Sequence, residues 1–207
     1  MNQAIQEQPG TKTTERPLYS PGLEGVIAGE SALCQVDEGE AGLRYRGYAI
    51  GDLAKWSRFE EVAYLLLIGH LPTRSELDSF STLLRGHRVL PDPVQRFIDS
   101  LQPGLHPMDV LRTGISLLGL SDPDAQDGSH EANLRKSMRL LSQIPLLIAH
   151  SYRVMSGILP PRQDESRDFA QHLLHLVAGH KDGETGTAMA QALNVSLILY
   201  AEHEFNA

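Results

Sequence analysis

A single cysteine, Cys34, stands in 207 residues, and that scarcity excludes an internal disulfide. Nothing with metal-ligand spacing surrounds it, so a reducing compartment is expected, with Cys34 as a small buried hydrophobe. Basic residues are in deficit, 18 Lys and Arg against 26 Asp and Glu, for a formal net charge of −8. No stretch concentrates them enough to follow a phosphate backbone, which removes nucleic acid from the expected partners. No apolar run approaches the roughly 20 residues that span a bilayer, so no membrane partner is expected. The opening MNQAIQEQPGTKTTERPLYS lacks the apolar core of a secretory signal, and Glu7 and Glu15 argue against a transit peptide. Residues 1–20 are therefore expected to form a disordered arm of a cytoplasmic protein. Internal repeats and low-complexity tracts are missing as well.

What remains is 41% apolar and 21% charged, the balance of a soluble globular chain of one or two domains that can bury a core. The strand signal is confined to SALCQV and GLRYRGY, which flank DEGEAG and predict a two-stranded hairpin from about Ser31 to Tyr48. A hairpin of that size cannot be the core. Everything after it reads as helix. Ser57 with Glu60 predicts a capping box for FEEVAYLLLIG, which Gly69 and Pro72 stop, and Thr73 with Glu76 predicts another for SELDSFSTLLR. Asp92 is expected to cap a short helix with Pro93 at its first position, and Pro107 to open MDVLRTGISLLGL. LSDPDAQDGS reads as a loop before a long helix from about His130 to Met155, kinked by Pro145. FAQHLLHLVAG and TGTAMAQALNVSLILYAEHEFNA complete an all-α plan. The last helix is apolar on almost every face from Met189 to Leu199 and is expected to be central.

Four stretches carry possible chemistry. HEFN, at His203, has no second histidine four residues on, which excludes a zinc-protease motif; a ligand-binding histidine and a helix-capping one are both open. His172, His175 and His180 offer nitrogen ligands, but no carboxylate or cysteine completes a set, and an amphipathic surface explains the first two. GETGTA lacks the preceding strand and Gly-Lys-Ser/Thr ending of a phosphate loop and reads as N-capping by Thr185 or Thr187. The arginines of RYRGY suit an anion or a charge-protected sheet edge equally well.

LRYRGYAIGDLA, FEEVAYLLLIGHLPTRSEL, HPMDVLRTGISLLG and LILYAEHEFNA occur in the order and at about the spacing of the citrate synthase family. From about Pro21 onward the chain most resembles the 2-methylcitrate synthase branch and its bacterial citrate synthase relatives. The resemblance implies a homodimeric helical enzyme with a large and a small domain, which condenses acetyl-CoA or propionyl-CoA with oxaloacetate. The coenzyme A thioester is then a co-substrate, and neither a bound cofactor nor a metal takes part. It also implies that His203 falls on the histidine of the HEFNA-type motif, which binds oxaloacetate. Arg74, in LPTR, matches a position resembling a substrate-binding arginine of the methylcitrate branch; a solvated arginine at a helix start is the other reading. The family's enol-stabilising histidine and catalytic aspartate follow that motif. The resemblance therefore implies that residues 21–207 form an N-terminal part of the large domain, with the small domain absent and no activity alone. A non-catalytic dimerisation or regulatory module, and one half of a split synthase, are the rival readings.

Overall fold

The polypeptide turns back between Tyr45 and Tyr48 because Arg46 and Gly47 both take positive φ, 48° and 88°. That pairing is the primed hairpin turn, whose twist matches flanking strands. Gly47 adopts it without strain, and Arg46 is tied there by its guanidinium, which donates to the Leu66 carbonyl at 3.4 Å. The result is a third strand where a two-stranded hairpin was expected: β1 (Cys34–Val36), β2 (Leu43–Tyr45) and β3 (Tyr48–Ala49), antiparallel in that order. Tyr45 lies opposite Cys34 on one side and Tyr48 on the other. In this computed structural model, residues 29–36, 42–159, 161, 164, 166–179 and 183–203 are described; the expected arm over residues 1–20 lies outside them.

Eight helices follow among the described residues: α1 (Ile50–Trp56), α2 (Phe59–Ile68), α3 (Arg74–Gly86), α4 (Asp92–Asp99), α5 (Pro107–Ser121), α6 (His130–Met155), α7 (Phe169–Ala178) and α8 (Gly183–Leu199). Thr73 and Glu76 form the expected capping box, and Ser129 accepts from Ala132 N–H at the start of α6. Helix α6 runs unbroken through Pro145. Three expectations are corrected. The residue before α2 is Arg58, whose N–H is taken by the Glu61 carboxylate at 2.7 Å, so Ser57 instead closes α1. Pro91 precedes α4, which places Asp92 and Pro93 at its first and second positions. Helix α8 starts at Gly183, and the Thr187 hydroxyl donates back to the Gly183 carbonyl rather than capping.

Packing divides into two main apolar clusters. Tyr45, Leu65, Leu84, Phe169 and Ile198 centre the first; Val94, Ile98, Val110, Leu118 and Leu147 centre the second. Each fully buried aliphatic chain of this kind is worth about 1.5–3 kcal/mol. Helix α6 serves both, with Leu141 against the first and Leu140 and Ile144 against the second. Helices α5 and α6 approach closely because residue 114 is Gly: a Cβ there would lie 2.5 Å from Leu147 Cδ1. Their connection is pinned by Arg139, which reaches Asp122 at 2.7 Å and Asp124 at 2.6 Å, while Arg135 reaches Asp124 at 2.7 Å. These guanidiniums hold both carboxyls below the usual carboxylate range.

Helix α8 is not buried all round, as its composition suggested. One stripe, Gly186, Ala190, Asn194 and Ile198, is buried, whereas Met189 and Leu199 are 40% and 46% exposed. The spacing of four is one helix face. Asn194, within that stripe, accepts the Phe59 N–H at 2.8 Å and donates to the Ser57 carbonyl at 3.2 Å. Nearby, the buried Glu60 accepts the Phe169 N–H at 2.6 Å and so caps α7 from α2.

Burial pushes the Glu60 carboxyl above its ordinary value of 4.5. A raised folded-state value means stability is fully present below the unfolded value and lost as pH rises through the folded one. Glu60→Gln keeps an acceptor for Phe169 and removes the charge, so its stability relative to wild type should improve as pH rises above the ordinary value of 4.5. Glu60→Ala should cost about 1–3 kcal/mol, because a buried N–H loses its partner. Urea unfolding of both variants checks this; a Gln variant that weakens as pH rises would contradict it.

Candidate functional site

The chain leaves α8 through a turn that places a histidine at the helix's C-terminal end. The helix stops at Leu199, earlier than expected, and residues 200–203 continue without helical structure. Tyr200 N–H donates to Ser196 O at 3.1 Å and Ala201 N–H to Ile198 O at 3.3 Å. The Leu199 carbonyl receives the Tyr45 hydroxyl at 3.1 Å. Glu202 is half-buried and His203 exposed. Of HEFN, only His203 lies within the described residues. Among the described residues none is hydrogen-bonded to its ring.

Arg74 lies elsewhere. At the start of α3 it is 86% exposed and pairs with Asp78 at 3.2 Å. It borders a polar cleft of about 240 Å³ together with Arg58, Glu60, Glu61, Arg85 and Arg167. Acids and guanidiniums alternate there, so the cleft has no strong preference for an anion. His203 is not among its lining residues, so the two expected substrate contacts do not meet in this cleft. The arginines of RYRGY are committed to backbone carbonyls, Arg44 to Gly47 O at 3.0 Å and Arg46 to Leu66 O.

The expected surface histidines are divided. His172 is only 3% exposed, against the amphipathic-surface reading, and His175 is half-buried; His180 lies outside the described residues. Among those residues no group of three or more His, Cys, Asp or Glu gathers as a metal would require. His175 instead lines a cavity of about 310 Å³ with Asp164, Arg167, Gln171 and Thr187. Burial, then the buried Arg88 and His175, hold the His172 imidazole down to about 4, with Asp164 opposing. His150, on α6, is lowered too, chiefly by burial. Sequence reasoning missed Glu60, Asn194 and Tyr45, whose partners lie more than a hundred positions away; no local pattern announces such pairs.

Comparison with known proteins covers almost the whole chain. Residues 22–207 match the family model described as "Citrate synthase, C-terminal domain". The 2-methylcitrate synthase of Shewanella oneidensis is 40% identical over 193 residues, 93% of this chain and 50% of that protein. The crystal structure of citrate synthase from Pyrobaculum aerophilum superposes with a TM-score of 0.79 at 28% identity, covering 96% of this chain and 52% of that one. A citrate synthase from Thermoplasma acidophilum, in ternary complex with carboxymethyl coenzyme A and oxaloacetate, gives 0.78 at 25% identity, over 90% of this chain and 48% of that one. The chain spans about half the length of the curated relatives it matches.

The buried histidine yields a pH-dependent expectation that is independent of any ligand. His172 is depressed from 6.5 to about 4, so the unfolded chain takes up its proton first. The stability it allows is full above the unfolded value and lost as pH falls toward 4. The shift corresponds to roughly 3 kcal/mol. His172→Leu, which fills the space without titrating, should gain about that much relative to wild type between about pH 7 and about pH 4. His150 is common to both proteins and cancels. Urea unfolding at several pH values checks this, and parallel profiles for the two proteins would contradict it.

Proposed function

Because the chain belongs to the citrate synthase family, we propose that it contributes the oxaloacetate-binding part of an enzyme that condenses acetyl-CoA or propionyl-CoA with oxaloacetate. Citrate or 2-methylcitrate is the product. Residues 21–207 are read as the N-terminal part of a large domain, the coenzyme A thioester as a co-substrate without a bound cofactor, and the reaction as cytoplasmic. The observation that carries this is the placement of His203: exposed, directly after the C-terminal turn of α8, with a ring no described residue engages. An imidazole N–H there can donate to the keto or carboxylate oxygen of oxaloacetate and draw charge from the keto carbon as the new carbon–carbon bond forms. Water then cleaves the thioester and the CoA thiol leaves. Arg74 is retained as a second substrate contact.

Removing the proton from an acyl carbon needs a desolvated base beside preorganised donors. That the 207-residue chain is inactive alone belongs to the proposal, supported by its spanning about half the length of the relatives it matches. A homodimer forms part of the same proposal. The support is an apolar groove of about 370 Å³ between α5 and α6, bordered by Met108, Leu111, Ile148, Tyr152 and Met155. Met108, Ile148 and Tyr152 are 61%, 41% and 48% exposed, and exposed apolar faces of this kind are normally covered. A second copy would present the same face in return.

A thiol-release assay tests the reading. The chain alone, given either acyl-CoA and oxaloacetate, should release no CoA thiol. Fused in frame to the part of the Shewanella oneidensis enzyme that it does not match, it should turn over. His203→Ala in the fusion should lower kcat by about 10²–10³, the usual cost of one donor at a developing oxyanion. Turnover by the isolated chain, or a fusion indifferent to His203→Ala, would contradict the proposal.

A further inference from the structure

We infer that the Tyr45 hydroxyl is a positioning group: it holds the turn from Leu199 to Glu202 and thereby places His203. The inference rests on the reading of His203 as an oxaloacetate ligand and names the device that makes that ligand usable. Helix ends leave their last carbonyls without internal partners. In α8 those of Ser196 and Ile198 are taken by the N–H groups of Tyr200 and Ala201. The Leu199 carbonyl is taken by Tyr45, from a strand 154 positions earlier. The Glu202 backbone lies near the same phenol oxygen and partly opposes the rise in its pKa. One hydroxyl therefore ties the final helical carbonyl to the sheet, beside the backbone that leads into His203.

Apolar burial in this turn is limited: Leu199 and Tyr200 are 46% and 86% exposed and Ala201 packs partly against the first cluster, and helix termini open at low cost. The anchor, by contrast, is fixed. Tyr45 is fully buried in the first cluster, and the turn after it is tied to α2 through Arg46 and Leu66 O. Burial, more than the nearby Glu202 and Cys34, keeps the phenol above its ordinary value, so it remains a donor through the neutral range. A phenylalanine would pack the same ring; only the hydroxyl accounts for the link to Leu199. Ligand geometry is sensitive to such links, since a misplacement of about 1 Å can cost about 10² in rate.

Tyr45→Phe in the 207-residue chain, followed by NMR, tests the inference. Amide exchange at Glu202 should accelerate about tenfold, the loss of one hydrogen bond, and the His203 ring resonance should move to its value in a short peptide. Exchange at Leu65 and Ile198 should stay within about twofold of wild type. Two results would overturn the inference: an unchanged Glu202 amide and His203 resonance, or an acceleration shared by Leu65 and Ile198, which would make the hydroxyl a support of the whole fold. His203→Ala should leave Glu202 exchange at the wild-type rate. The oxaloacetate reading is decided separately by the fusion assay, so the failure of one is distinguishable from the failure of the other.

Discussion

The side-chain amide of Asn194, buried in α8, closes a polar joint inside an apolar core. Its oxygen takes the Phe59 N–H and its nitrogen gives to the Ser57 carbonyl, so the end of α1, the start of α2 and the middle of α8 are held at one point. An amide placed there without partners would be costly, and so would the two backbone groups it serves. The mutual satisfaction fixes the rotation and height of α8 against its neighbours. A helix shifted by one residue would turn Asn194 out of reach and carry Ile198 out of the first cluster.

Two further contacts of the same type extend that joint. Glu60, in the first turn of α2, caps α7 through Phe169, whose ring packs 4.7 Å from that of Phe59. Tyr45, from the sheet, meets the last turn of α8. Each is a side chain from one element satisfying a helix-end backbone group of another, so polar groups set registers that apolar packing alone would leave loose. His203 follows α8, so its place in space depends on the Asn194 joint and on the contact of Tyr45 with Leu199 O.

The parts legible in the sequence were those decided by neighbours along the chain. Thr73 and Glu76 cap α3 within four residues, and Ser129 starts α6, whose ends at His130 and Met155 match the expected ones. Where distant groups compete, local rules failed. Ser57 and Glu60 have the spacing of a capping box, yet Asn194 takes the Ser57 carbonyl and Phe169 takes the Glu60 carboxylate. The third strand depends on a positive φ at Arg46, which its bond to Leu66 O supports. Of the candidate site, His203 stood out from its own sequence, with a ligand-binding and a capping reading both open, and only the family motif favoured the first. The tyrosine that holds its turn gave no local signal, because its partner is 154 positions away.

The most direct test of this account is Asn194→Ala, measured by urea unfolding together with amide exchange at Phe59. The truncation leaves one buried N–H and one buried carbonyl unsatisfied, so the account predicts a loss of roughly 2–5 kcal/mol and rapid exchange at Phe59. A variant within about 0.5 kcal/mol of wild type, the range of an ordinary surface substitution, with Phe59 still protected, would show that α8 is registered by apolar packing alone and would contradict it.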